Sequence, residues 1–340
     1  MINYRENEDA SKIFKERYAT GIESLICARE QTLSSMRKEY CKDIFSDGER
    51  YRNDFKKMLG WPLIGQEDAA IPQVRKEMLA KEQGYTVYRM TFTVIEDLLL
   101  SGLYFEMDGE EAKPLVLVQH GGSGTPELIS GVYGDTANYN RILERVIKRR
   151  THAFAAQLLL WDEKRYGIDY NRRDVDARLK RVGSSITAVE LYGLKRILDY
   201  FEAQSNISGF GMVGLSYGGF YSLFLAALDT RIQSTISCSF FNTRDKVGWS
   251  DWTWFGSAEK FDDAEVAALV YPRKLCIEMG TKDELFDVTY SIKSYNRLQE
   301  MCEDVGTNWL SFITFDGTHE FCLDDAPIEA LVRELKGGRQ

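Results

Sequence analysis

Residues 209–219 read Gly-Phe-Gly-Met-Val-Gly-Leu-Ser-Tyr-Gly-Gly, and the reading of this stretch decides the fold. The apolar run 209–215 has the length of a buried strand, and 218–228 continues as an apolar helix. The junction is Gly214-Leu215-Ser216-Tyr217-Gly218-Gly219. Glycine two residues before and two after the serine permits a turn too tight for side chains at those places. Such a strand–turn–helix lifts the Ser216 hydroxyl above the sheet edge. It also sets the hydroxyl at a helix N-terminus, where backbone N–H groups face developing negative charge. Ser216 is therefore the candidate nucleophile.

Outward from this junction the same alternation recurs. Strands are expected at 85–95, 98–107, 115–119, 153–161, 232–240, 274–279 and 309–315. Helices are expected at 139–149, 186–203, 290–302 and 328–335. Continuous apolar strands alternating with helices predict an α/β fold, a mostly parallel sheet covered on both faces. Before it, residues 9–59 read as helical. Ile13, Phe14, Tyr18, Ile22, Leu25 and Ile26 recur at helical intervals, followed by Leu33, Met36, Tyr40 and Ile44. Ser46-Asp47-Gly48 breaks the run and Gly60-Trp61-Pro62 ends it. We expect an N-terminal helical extension over residues 1–80 and a catalytic domain over 81–340. The extension either packs back on the domain or serves in addition as an arm for a homo-oligomer.

A serine needs a base, and the chain has only three histidines. His319 follows the last expected strand and lies downstream of Ser216, so it is the candidate base. His120 follows the strand 115–119 and reads as support for the glycine-rich loop after it. His152 stands at the start of a strand, the wrong end for a site on a parallel sheet. The residue that orients the imidazole should be Asp283, just past the strand end. Glu284, Asp287 and Asp251 are its rivals. Oxyanion donors are expected from the backbone N–H groups of Tyr217 and of Gly122, in His120-Gly121-Gly122-Ser123-Gly124, with Gly121 or Ser123 as alternatives. That loop lacks the endings of a P-loop or a dinucleotide site.

Together His120-Gly-Gly, the Gly214–Gly219 turn, Gly280-Thr-Lys-Asp283 and Gly317-Thr-His319 resemble the α/β-hydrolase superfamily, from about residue 85 to the C-terminus. Within it the chain looks most like the dienelactone hydrolase-related and acetyl xylan esterase-like branch, and Leu59-Gly60-Trp61-Pro62 resembles the end of that branch's N-terminal segment. The resemblance implies the α/β-hydrolase fold and a serine carboxylesterase that needs no metal or other cofactor. The Ser-Tyr-Gly-Gly turn is also similar to prolyl oligopeptidases, but the helical N-terminal part is too short for their propeller. The expected reaction is hydrolysis of a carboxylic ester with a small acyl group, acetylated sugars included. The alternatives are a peptidase or amidase using the same residues, and a non-catalytic binding protein on the same fold.

The chain has 340 residues, 43 Lys+Arg against 52 Asp+Glu, and a formal charge of −9, which argues against a polyanion binder. No apolar run is long enough to span a bilayer. The expected partner is a small ester, with no nucleic acid and no membrane. Six cysteines without a CxxC pair read as free thiols, and the polar start MINYRENEDA is no secretory signal, so a cytoplasmic location is expected. Two segments are candidates for specificity. Residues 162–185 carry Arg165, Arg172, Arg173, Arg178 and Arg181, read as a solvated, salt-bridged segment or as an anion clamp. Residues 248–256 carry three tryptophans, read as loop packing or as a pocket wall.

Overall fold

Two helices open the chain, α1 (Glu8–Tyr40) and α2 (Gly48–Leu59). The computed structural model describes residues 3–61, 63 and 70–337; Pro62, part of the expected helix-end signal, lies outside them. Asn7 caps α1 by accepting from the Asp9 N–H, and Gly60 ends α2 in the left-handed conformation that suits glycine. α2 buries Tyr51, Phe55 and Leu59, spaced by four, and Phe55 packs against Phe224 and Phe261 at 5.1 Å between ring centroids. α1 behaves differently: it has no buried residue, and every residue from 12 to 32 is exposed.

The strands follow. β1 (Val74–Glu82), β2 (Tyr85–Ile95) and β3 (Leu98–Met107) form an antiparallel meander, and β4 (Lys113–Gln119) starts the parallel part. Short helices α3 (Pro126–Ser130) and α4 (Ile142–Ile147) lead to β5 (His152–Ala156). After α5 (Glu163–Tyr166), α6 (Arg172–Arg181) and α7 (Ile186–Glu202) come β6 (Ile207–Leu215), α8 (Tyr217–Leu228) and β7 (Ile232–Cys238). The chain closes through α9 (Asp263–Ala268), β8 (Lys274–Gly280), α10 (Val288–Met301), β9 (Leu310–Phe315) and α11 (Ala326–Gly337). Among the described residues these strands make one nine-stranded sheet, ordered β1-β2-β3-β5-β4-β6-β7-β8-β9, parallel from β5 to β9.

Alternation along the strands splits the core. Leu115, Leu117, Met212 and Ile277 lie with α2, α7 and α8, while Val116, Val118, Val213, Leu215 and Ile236 lie with α4 and α11. Covered on both faces, these strands need an unbroken apolar run.

Three local departures have physical causes. β5 stops at Ala156, well before residue 161, because the N–H groups from Leu158 onward leave the ladder. Leu158 N–H donates to His120 Nε2 at 3.2 Å and Leu159 N–H to Glu190 Oε1 at 2.7 Å. The helix expected over 139–149 is a 3₁₀ turn, Ala137–Tyr139, followed by α4, since Asn140 and Arg141 both have positive φ. β1 is an edge strand with mostly exposed side chains, so it carries no apolar alternation to read.

Candidate active site

Ser216 joins β6 to α8 with φ 60° and ψ −122°, a conformation that costs a non-glycine residue about 1–3 kcal/mol. The surroundings hold it there. Its N–H donates to Cys238 O at 2.9 Å and its C=O accepts from Phe220 N–H at 2.9 Å. A Cβ on Gly214 would sit 2.4 Å from the Gly218 backbone, and one on Gly218 would sit 2.0 Å from Gln119 O. Neither glycine tolerates a side chain.

The loops after β8 and β9 bring Asp283 and His319 together, with His319 Nδ1 and Asp283 Oδ2 2.8 Å apart. Asp283 Oδ1 accepts from the N–H groups of Leu285 (2.9 Å) and Phe286 (3.0 Å), so both oxygens are fixed. Burial works to raise the Asp283 pKa. The hydrogen bond and charge of His319, with the two N–H donors, outweigh burial and hold the carboxyl below its ordinary range. The Phe286 ring lies along the imidazole, 5.7 Å away at 28°. Cys238 ties this edge to the serine turn. Its carbonyl takes the Ser216 N–H, and its thiol donates to Glu320 O, next to His319, at 3.4 Å.

The rival carboxylates are engaged elsewhere. Asp251 Oδ2 accepts from Tyr217 OH (2.7 Å) and Arg172 Nε (2.8 Å). Asp287 caps α10 by accepting from Thr289 N–H, and Glu284 is exposed.

In the glycine-rich loop, Gly121 N–H donates to Tyr139 OH at 2.8 Å, and Ser123 bridges to Trp161. Gly122 faces the Tyr217 ring; a Cβ there would be 3.6 Å from it. Tyr217 is the first residue of α8, where no intrahelical acceptor exists for the N–H. His120 is fully buried and its Nε2 accepts from Leu158 N–H; burial pushes its pKa down to about 4, so it is neutral. His152 is likewise buried, takes the Met107 N–H at 3.0 Å, and is pushed down to about 4 by burial. Among the described residues no group of three or more His, Cys, Asp or Glu is arranged to hold a metal ion.

No protein-family model and no curated protein matches the chain by sequence. Solved structures do match in shape. A methylesterase superposes with a TM-score of 0.62 at 16% identity, covering 91% of this chain and 67% of its own. The glucuronoyl esterase of Solibacter usitatus gives 0.59 at 14% identity, with 85% and 92% covered. Acetyl xylan esterase 1 of Thermoanaerobacterium sp. JW/SL YS485 gives 0.54 at 16%, with 89% and 98% covered. The chain has the α/β-hydrolase fold.

Two features of this chain escape a reading of the sequence. Asn138 grips the His319 loop from both sides: its side-chain amide donates to His319 O at 2.8 Å, and its C=O accepts from Phe321 N–H at 2.9 Å. No local pattern marks Asn138. The second is Arg172, on α6. Its five N–H donors go to Asp251 (Nε), Leu159 O and Glu190 Oε1 (Nη1), and Glu190 Oε2 and Tyr221 OH (Nη2). The run of arginines pointed to charge here, but not to these partners. With its donors used internally, Arg172 is a brace and not an anion clamp. The tryptophans divide: Trp252 and Trp254 are buried, while the half-buried Trp249 stacks on Tyr217 at 5.5 Å and 10°.

Proposed function

We propose that the protein is a serine esterase that hydrolyses carboxylic esters through an acyl-enzyme. One observation carries this reading: a strained Ser216 at the C-terminal edge of β6, on the same sheet edge as a 2.8 Å His319–Asp283 pair. Ser216 Oγ attacks the ester carbonyl while His319 takes its proton. Asp283 fixes the imidazole and favours the cation that forms. The N–H groups of Tyr217 and Gly122 receive the oxyanion. His319 then protonates the departing alcohol, and water, deprotonated by the same imidazole, releases the acid and restores the serine. Three structural neighbours named as esterases support an ester carbonyl as the target. Trp249, Tyr217 and Phe286 offer an aromatic wall beside the serine, suited to a small acyl group on a sugar.

A fluorophosphonate probe tests the reading, since the activated serine oxygen displaces fluoride to form an O–P bond. Mass spectrometry should find one adduct, on Ser216, and p-nitrophenyl acetate turnover should stop with it. A folded wild-type protein that neither labels at Ser216 nor cleaves any member of an aryl-ester and acetyl-sugar panel would refute it.

A further inference from the structure

Along α1, at 100° per residue, Phe14, Tyr18, Ile22, Leu25 and Ile26 share a face about 120° wide. Leu33, Met36 and Tyr40 lie on the same face farther along. There the stripe meets the body: Tyr40 packs edge-on to Tyr51 and Phe261, and Arg37 donates to Ala258 O at 2.6 Å. The two groups lie along one seam, interrupted on its centre line by Arg29, which pairs with Glu259 of the body. Its C-terminal third is covered by the body. Its N-terminal part is bare, with Phe14 62%, Tyr18 74% and Leu25 71% exposed. A long rigid helix that keeps five large apolar side chains in water on one face loses the burial that normally stabilises such a face.

We infer that a second copy of this chain covers the bare seam, its α1 running antiparallel across a two-fold axis near residue 20. The spacing of the stripe supplies the reason for choosing a copy over another partner. Phe14 and Ile26 stand equally far from residue 20, and so do Tyr18 and Ile22. Turned end for end, these four apolar positions fall on one another, as an isologous interface requires, while Leu25 falls opposite Lys15. Phe14 then meets Ile26, and Tyr18 meets Ile22, each twice. Lys12 and Glu30 share one flank of the helix and come opposite each other within about half a turn. Gly21 adjoins the axis with open space where a Cβ would stand. A glycine in a bare helix costs about 1 kcal/mol relative to alanine, and at a crossing it lets two backbones approach. Ile13 lies on the opposite face and takes no part.

Sedimentation of the full chain at about 50 μM, well above the Kd of a typical stable dimer, should give a dimer. The Tyr18→Glu/Ile22→Glu variant should be a monomer, with an unchanged thermal transition in its body and unchanged p-nitrophenyl acetate turnover per chain. Direction is read separately. In a Cys27→Ser background, which removes the exposed native thiol of α1, Phe14→Cys protein mixed with Ile26→Cys protein and oxidised with diamide should give a disulfide-linked heterodimer. Phe14→Cys alone should give none, because its two thiols would lie roughly 18 Å apart along the axis. A monomeric wild type overturns the proposal, as does a dimer that survives the two glutamates. Covalent dimers from Phe14→Cys alone overturn the antiparallel pairing.

Discussion

Glu278 sits on β8, fully buried, with the Cys238 thiol beside its carboxyl. Burial pushes its pKa up to about 8, so at neutral pH it is held largely as the acid. In the unfolded chain it ionises at an ordinary carboxyl value. The folded state therefore binds the extra proton between about 4.5 and 8, and the stability tied to that proton is lost as pH rises through this window. A Glu278→Gln chain lacks the loss. Its stability should gain on that of wild type as pH rises from about 4.5 to 8, by a few kcal/mol at most, with the melting temperature rising accordingly. Differential scanning at several pH values reads it; a constant margin would contradict the assignment. Ser216 makes the opposite kind of residue prediction. Its side chain contributes little to packing and, in the proposed mechanism, carries the covalent step, so Ser216→Ala should leave the fold intact and cut turnover by roughly 10⁶. Stopped assays beside circular dichroism check both halves.

Between residue and molecule stand short elements that hold the site from behind. The 3₁₀ turn Ala137–Tyr139 is one: Tyr139 takes the Gly121 N–H and Asn138 holds the His319 loop. Tyr139→Phe leaves a buried N–H without an acceptor, a cost of about 1–3 kcal/mol. It also frees the neighbour of the proposed oxyanion donor. We expect lower stability and a fall in kcat of about tenfold with KM little changed; steady-state kinetics and urea unfolding measure each. Helix α6 is the other. Arg172→Met strands Glu190 and Asp251 in the interior without their cation, which should cost about 3–5 kcal/mol. Arg172→Lys should recover little, because one ammonium cannot serve acceptors placed around a planar fork. Denaturant melts of the two variants should nearly coincide.

Across the whole molecule, what could be read in advance follows the range of the interaction. The strand–turn–helix at Ser216 and the alternation of apolar strands with helices were legible because each is written in a few consecutive residues. The bracing was not. Asn138 meets His319 across 181 residues and Arg172 meets Asp251 across 79, and such distant pairs leave no local pattern. β1 was invisible for a different reason: an edge strand has no apolar face to advertise. The same separation bears on how the chain is made. Phe55 is sealed by Phe261, about 200 residues later, and a ribosome adding roughly 5–20 residues per second needs some 10–40 s to cover that gap. For that interval the Phe55 ring lacks one of the partners that seal it. An apolar face that waits this long for its cover offers a chaperone a place to hold the growing chain.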